Sequence, residues 1–177
     1  KPEGYCKLEY NFYNVQMPVS RLLLPLLRRL LEDYPAASLL GPRQSGKTTL
    51  GRSLGGTYFD LERDADRARL DLTWNSLAAA PGLLILDEAQ AHPPLFNRLR
   101  GEIDADRKRN GRFLLLGSVS PALLRQVSQS LAGRLGLCEL SAFLLPEVDP
   151  ALLDRLWLMG GFPDGGILSP KAFPEWQ

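Results

Sequence analysis

Two cysteines, a single histidine and five lysines are few for a chain of 177 residues. Cys6 and Cys138 cannot make a disulfide framework, and with His92 alone and no CxxC a zinc site is excluded. Cys138, in the apolar run Gly136-Leu-Cys-Glu-Leu140, reads as a reduced core thiol. Long hydrophobic runs are also missing. The stretch Leu22 to Leu27 stops at Arg28-Arg29, far short of the roughly 20 residues a membrane-spanning helix needs. No signal-peptide pattern opens the chain, so a cytoplasmic protein without membrane association is expected. Charge of one sign is lacking as well: 21 basic residues against 20 acidic leave +1, and no global field draws the chain onto nucleic acid. Arg107-Lys108-Arg109 with Arg112 reads instead as the basic end of a helix, stopped by Asn110-Gly111. The tryptophans Trp74, Trp157 and Trp176 form no base-stacking pattern.

What is present is an ordinary globular composition, 45% hydrophobic, 23% charged and 8% aromatic. At this length one domain can bury a core without metals or disulfides. Lys1 to Gln16 has no clean period and is expected to be an extension outside the core, with Met17 near a natural start. The domain proper is expected over 17–159. The Gly- and Pro-rich segment 160–177 is expected to begin a further C-terminal region.

Between those ends helices and strands alternate. Helices are expected over Pro25 to Tyr34, Lys47 to Leu54, Asp64 (as cap) to Leu77 and Pro94 to about Asp106, with another opened by Ser120-Pro121 that carries Leu123, Val127 and Leu131. Strands are expected over Ala37 to Leu40, Tyr58 to Glu62, Leu83 to Leu86, Phe113 to Leu116 and Leu137 to Leu140. Leu83-Leu-Ile-Leu86 is apolar at every position, as a parallel strand covered on both faces requires. The fold class is therefore α/β, a five-stranded parallel sheet with helices on both faces.

The strongest motif is Gly41-Pro-Arg-Gln-Ser-Gly-Lys-Thr48, a full match to GxxxxGK[ST] between an apolar strand and a helix. Glycines at 41 and 46 permit backbone angles and close approach that a Cβ blocks, so successive N–H groups can surround phosphate. The next helix aims its positive end at the same anion. Gly41, Pro42, Arg43, Gln44, Ser45, Gly46, Lys47, Thr48 and Thr49 are thus the candidate nucleotide-binding residues, for ATP with Mg²⁺. Lys47 would reach the outer phosphates, and the Thr48 hydroxyl would ligate Mg²⁺.

Asp87 ends the third strand, in the crevice where such sheets bind ligands, and is the second candidate Mg²⁺ ligand. Glu88, beside it, is the candidate base for the attacking water. Ser118, after the fourth strand, can touch the γ-phosphate or that water if its strand lies between the first and third; Ser118 and Ser120 can equally be helix caps. Arg134 can act as an arginine finger for a neighbouring subunit or be a surface arginine. The chain has no NKxD for guanine, Asp87-Glu-Ala-Gln90 lacks the glycine of DxxG, and nothing reads as a kinase acceptor site.

The segments GPRQSGKTTL, LDEAQ, LLLGSVSPALL, SLAGR and GGFP together resemble prokaryotic AAA-domain P-loop ATPases. Those proteins usually carry a C-terminal domain of unknown function; here the chain ends 14 residues after Pro163. The resemblance implies an AAA-like core in which the strand bearing Ser118 is inserted between those bearing Gly41 and Asp87. It also implies binding of ATP or ADP and self-association or a partner protein. Two functions are expected from it: Mg²⁺-dependent ATP hydrolysis, or a nucleotide-operated switch with negligible turnover.

Overall fold

The computed structural model describes residues 19–118, 127, 129–165 and 167–168. Five parallel strands form one sheet: β1 (Ala36–Leu40), β2 (Thr57–Asp60), β3 (Leu84–Asp87), β4 (Phe113–Gly117) and β5 (Leu135–Glu139). Their spatial order is β2-β3-β4-β1-β5, so the strand leading to Ser118 does lie between those leading to Gly41 and Asp87. All pairings are parallel, with Ala36 opposite both Phe113 and Leu135.

The strands are apolar on both sides because both sides are covered. On one face α3 (Asp64–Ala79), α4 (Pro94–Ala105) and the helical residues Val127 and Leu131 pack with Phe59, Leu86, Phe113 and Leu115. On the other, α1 (Leu24–Asp33) and α2 (Lys47–Ser53) pack with Leu39, Ile85, Leu114, Leu116 and Cys138. Alternate β4 residues thus feed opposite cores, as the two-residue repeat of a strand dictates. Trp74 of α3 stacks on Phe113 at 6.2 Å between ring centres. Among the described residues no helix is long and apolar enough to cross a membrane.

Boundaries differ from the sequence expectation in a few places. Strand β2 ends at Asp60, where a turn closes: Asp60 O accepts the Arg63 amide at 3.1 Å and its carboxylate accepts the Glu62 amide at 3.1 Å. Strand β5 begins two residues earlier than expected, at Leu135, and stops at Glu139. Asp64 does not cap α3; Arg63 holds that position, and Asp64 and Asp66 complement the helix dipole from within the first turn.

The basic cluster has a different purpose from the one its sequence pattern predicts. Helix α4 ends at Ala105, with no basic residue in its last turn. Arg109 instead donates to the terminal carbonyls of α3, Ala78 and Ala79, each at 3.3 Å, and to Ala80. Arg112 joins Ala78 O (3.1 Å) to Glu102 O of α4 (2.8 Å), and the Asn110 amide reaches Glu32 O of α1 at 2.7 Å. One short segment so satisfies carbonyls at the ends of three helices that have no intrahelical donor.

The described residues after β5 make a third, small core from Phe143, Val148 and Ile167, against which Val19, Leu152 and Leu156 pack. Leu156 belongs to the short helix Leu153–Met159. Ile167 and Pro163–Gly165 therefore lie against the body of the domain. Residues 1–16 and the Ser120-Pro121 cap fall outside the described residues.

Candidate functional site: the cleft at the carboxyl ends of β1 and β3

Strand β1 runs into the glycine-rich loop. Gly41 owes its identity to close approach: a Cβ there would stand 2.3 Å from the Leu140 carbonyl oxygen. Gly46 owes its identity to conformation, since it caps α2 with φ 92°, a left-handed angle side chains resist. Gln44 takes the same region at φ 62°. The loop opens on a cleft of about 570 Å³ lined by Arg43, Gln44, Gly46, Lys47, Thr48, Thr49, Glu62, Glu88, Pro163 and Asp164.

Lys47 is 6% exposed. Its ammonium donates to Gly41 O at 3.0 Å and Pro42 O at 2.8 Å. Burial pushes its pKa below the ordinary lysine value, while the Glu88 and Asp87 carboxylates pull it back up. Thr48 Oγ1 donates to Asp87 Oδ2 at 2.7 Å, and the Tyr58 hydroxyl donates to the same oxygen at 2.8 Å. Asp87 Oδ1 accepts the Glu88 amide at 3.0 Å. Burial, then the bond to Asp87, pushes the Tyr58 phenol well above its ordinary value, so it stays a donor. This is an all-oxygen set with one carboxylate, the donor chemistry of a Mg²⁺ site completed by phosphates and water. Among the described residues no group of three or more His, Cys, Asp or Glu is placed to hold a metal ion.

Glu88 lies one residue past β3 with φ 49° and ψ 47°. For a non-glycine residue that backbone costs on the order of 1 kcal/mol, strain of the kind that gathers at functional sites. It carries the carboxylate to the cleft wall, where the Gln90 amide nitrogen donates to Oε2. The Ser118 hydroxyl, at the end of β4, is buried with no hydrogen-bond partner among the described residues.

Arg134 is not brought to this cleft. It immediately precedes β5, at the amino edge of a sheet whose strands are about 16 Å long. There it grips Asp104 of α4 with two bonds, Nε to Oδ1 at 2.8 Å and Nη2 to Oδ2 at 2.9 Å.

Five residues at or behind the cleft belong to no motif: Arg21, Tyr58, Glu62, Pro163 and Asp164. Tyr58 had no pattern to mark it, because its role exists only once β2 lies beside β3. Arg21, which donates to the Ser45 carbonyl of the loop, is equally silent. Pro163 and Asp164 sat within the GGFP-Asp string, and their place on the cleft wall was legible from no local spacing.

A family model described as "AAA domain" matches residues 33–148, more than half of the chain, and the protein belongs to that family. Together with the loop geometry, this defines a P-loop nucleotide-binding domain of the AAA kind. Among curated proteins it is 45% identical over 141 residues to "Uncharacterized protein Rv2008c" of Mycobacterium tuberculosis (strain ATCC 25618 / H37Rv). It is equally similar to "Uncharacterized protein Mb2031c" of Mycobacterium bovis (strain ATCC BAA-935 / AF2122/97). The match takes in 77% of this chain but 32% of each relative, so the chain spans less than half the length of those proteins. Among solved structures, the Walker-type ATPase PABY2304 of Pyrococcus abyssi aligns at TM-score 0.57 and 17% identity, over 82% of this chain and 64% of that one. That likeness is one of fold.

Proposed function

We propose that this domain binds ATP together with Mg²⁺ and hydrolyses it. The observation that carries the reading is the convergence of Lys47, the Thr48–Asp87 pair and Glu88 on one cleft, drawn from the ends of β1 and β3. The loop residues 41 to 49 cradle the phosphates with backbone N–H groups, and Lys47 exchanges its two carbonyl partners for phosphate oxygens. Thr48 and Asp87, already paired hydroxyl to carboxylate, would hold the metal. Mg²⁺ supplies charge neutralisation at the phosphate oxygens, which phosphoryl transfer requires. Glu88 takes the proton of the attacking water, and the Ser118 hydroxyl, buried with no partner among the described residues, offers a hydrogen bond at the γ-phosphate end. Arg134 enters this scheme only as a residue lent to a neighbouring chain, since in its own chain it stands at the other edge of the sheet.

A second reading is supported by the Gln90–Glu88 contact, which occupies the proposed base. With Glu88 so engaged the domain acts as a nucleotide-operated switch that turns over negligibly.

Phosphate release by wild type, Glu88→Gln and Lys47→Ala, measured beside ATP affinity, separates the two. Hydrolysis predicts a loss of about 10²–10⁴ in rate for Glu88→Gln with affinity retained, because the base alone is removed. Lys47→Ala should weaken binding itself. Equal, slow release by wild type and Glu88→Gln would leave the switch. A folded wild type giving no heat on titration with ATP or ADP would end both.

A further inference from the structure

Arg21 precedes α1 and belongs to no motif, yet it is 4% exposed and every edge of its guanidinium has a neighbour. Nη1 donates to the Ser45 carbonyl at 2.8 Å. Nη2 donates to Ser141 O at 2.7 Å and Ala142 O at 3.3 Å, and Nε pairs with Glu147 at 3.2 Å. The plane also lies 4.8 Å from the centre of the Phe143 ring. The Glu147 side chain, 2% exposed, is filled out by the amides of Leu22 (2.7 Å) and Leu144 (2.9 Å). A buried charge with this many partners has a defined orientation.

We infer that Arg21 is a positioning residue for phosphate binding: by holding the Ser45 carbonyl it aims the Gly46 amide into the nucleotide cleft. The inference rests on the nucleotide-binding reading above. The Ser45–Gly46 peptide is planar and trans, so its N–H points opposite to its C=O. With the oxygen fixed on Arg21, the Gly46 N–H faces away from the guanidinium. Gly46 lines the cleft and sits at φ 92°, where glycine's freedom would otherwise let this peptide rotate. Arg21 removes that freedom from behind the loop. Because the same guanidinium grips residues 141, 142 and 147, the segment after β5 and the phosphate loop share one support.

A mere strut would also hold residues 141–147, so the test separates the two ends of the guanidinium. ADP and AMP affinities are measured by calorimetry, with melting temperatures, for wild type, Glu147→Gln, Arg21→Lys and Arg21→Met/Glu147→Gln. The double variant leaves no uncompensated buried charge, and Arg21→Lys keeps the charge beside Glu147, which guards against loss of fold. Glu147→Gln should lower the melting temperature but hold ADP affinity within about twofold. Both Arg21 variants should lose about tenfold for ADP relative to Glu147→Gln, the worth of one phosphate-directed amide, and much less for AMP. If both bind ADP as tightly as Glu147→Gln, Arg21 is a strut and the inference falls. A folded wild type that takes up no ADP overturns the nucleotide reading, and this inference with it.

Discussion

Thr48 and Asp87, 39 positions apart in the chain, meet hydroxyl to carboxylate at 2.7 Å, and Tyr58 closes on the same Oδ2 from β2 at 2.8 Å. A carboxylate oxygen that already carries two donors is oriented before any cation arrives. A cation bound there would have to compete with the phenol for that oxygen.

Tyr58→Phe should therefore have two separable effects. Stability should fall by about 1.5–3 kcal/mol, the worth of a hydrogen bond to a charged group. The Mg²⁺-dependent gain in ATP affinity should hold or rise, because a competitor for Oδ2 is gone. Asp87→Asn should abolish that gain. Titrations with and without Mg²⁺ check both; loss of the gain in Tyr58→Phe would mean the phenol supports the cation instead.

Arg134→Ala should leave turnover per chain unchanged across dilution, because the residue is committed to Asp104 at the far edge of the sheet. Turnover that rises with wild-type concentration and is lost in Arg134→Ala would assign it to a neighbouring chain. Arg134, then Arg107, holds the Asp104 carboxyl down at about 2. Its folded pKa is depressed, so its contribution to stability is present above the ordinary carboxylate value and is lost as pH falls towards 2. Carbon-13 titration of Asp104 should show that midpoint, moving up in Arg134→Ala.

Arg112→Met should destabilise the fold without touching the site. It strips Glu102 O of its side-chain donor and leaves Ala78 O only the longer bond from Arg109, a loss of about 1–3 kcal/mol. A fall in melting temperature of roughly 2–12 °C follows for a domain of this size, with nucleotide affinity unchanged. A fall of a degree or less would show that water replaces the guanidinium.

Burial pushes the Cys138 thiol up to about 11. At pH 8 its thiolate fraction is then about 10² below that of a free cysteine, and alkylation should be slower by a similar factor in a Cys6→Ser background. The folded state holds this proton longer than the unfolded one, so stability should decline as pH rises from about 8.5 towards 11. Rapid labelling at pH 8 in the folded protein would contradict the burial.

The sequence by itself determined the α/β class and most of the cleft. Strands buried on both faces must be apolar throughout, helices announce themselves by their stripe, and a phosphate loop needs glycine at the positions where a Cβ collides or φ turns positive; all of these are local demands. Gly41 to Thr49, Asp87 and Glu88 were legible for that reason. Tertiary structure alone decided how far the remaining residues matter. The partners of Tyr58, Arg21, Arg109, Arg112 and Arg134 lie 10 to 126 positions away on other elements, and no spacing rule marks them. The basic run shows why. Its residues do answer helix carbonyls, as charge at a helix end should, but the carbonyls belong chiefly to helices the chain had built earlier, brought within reach only when β4 slid between β1 and β3.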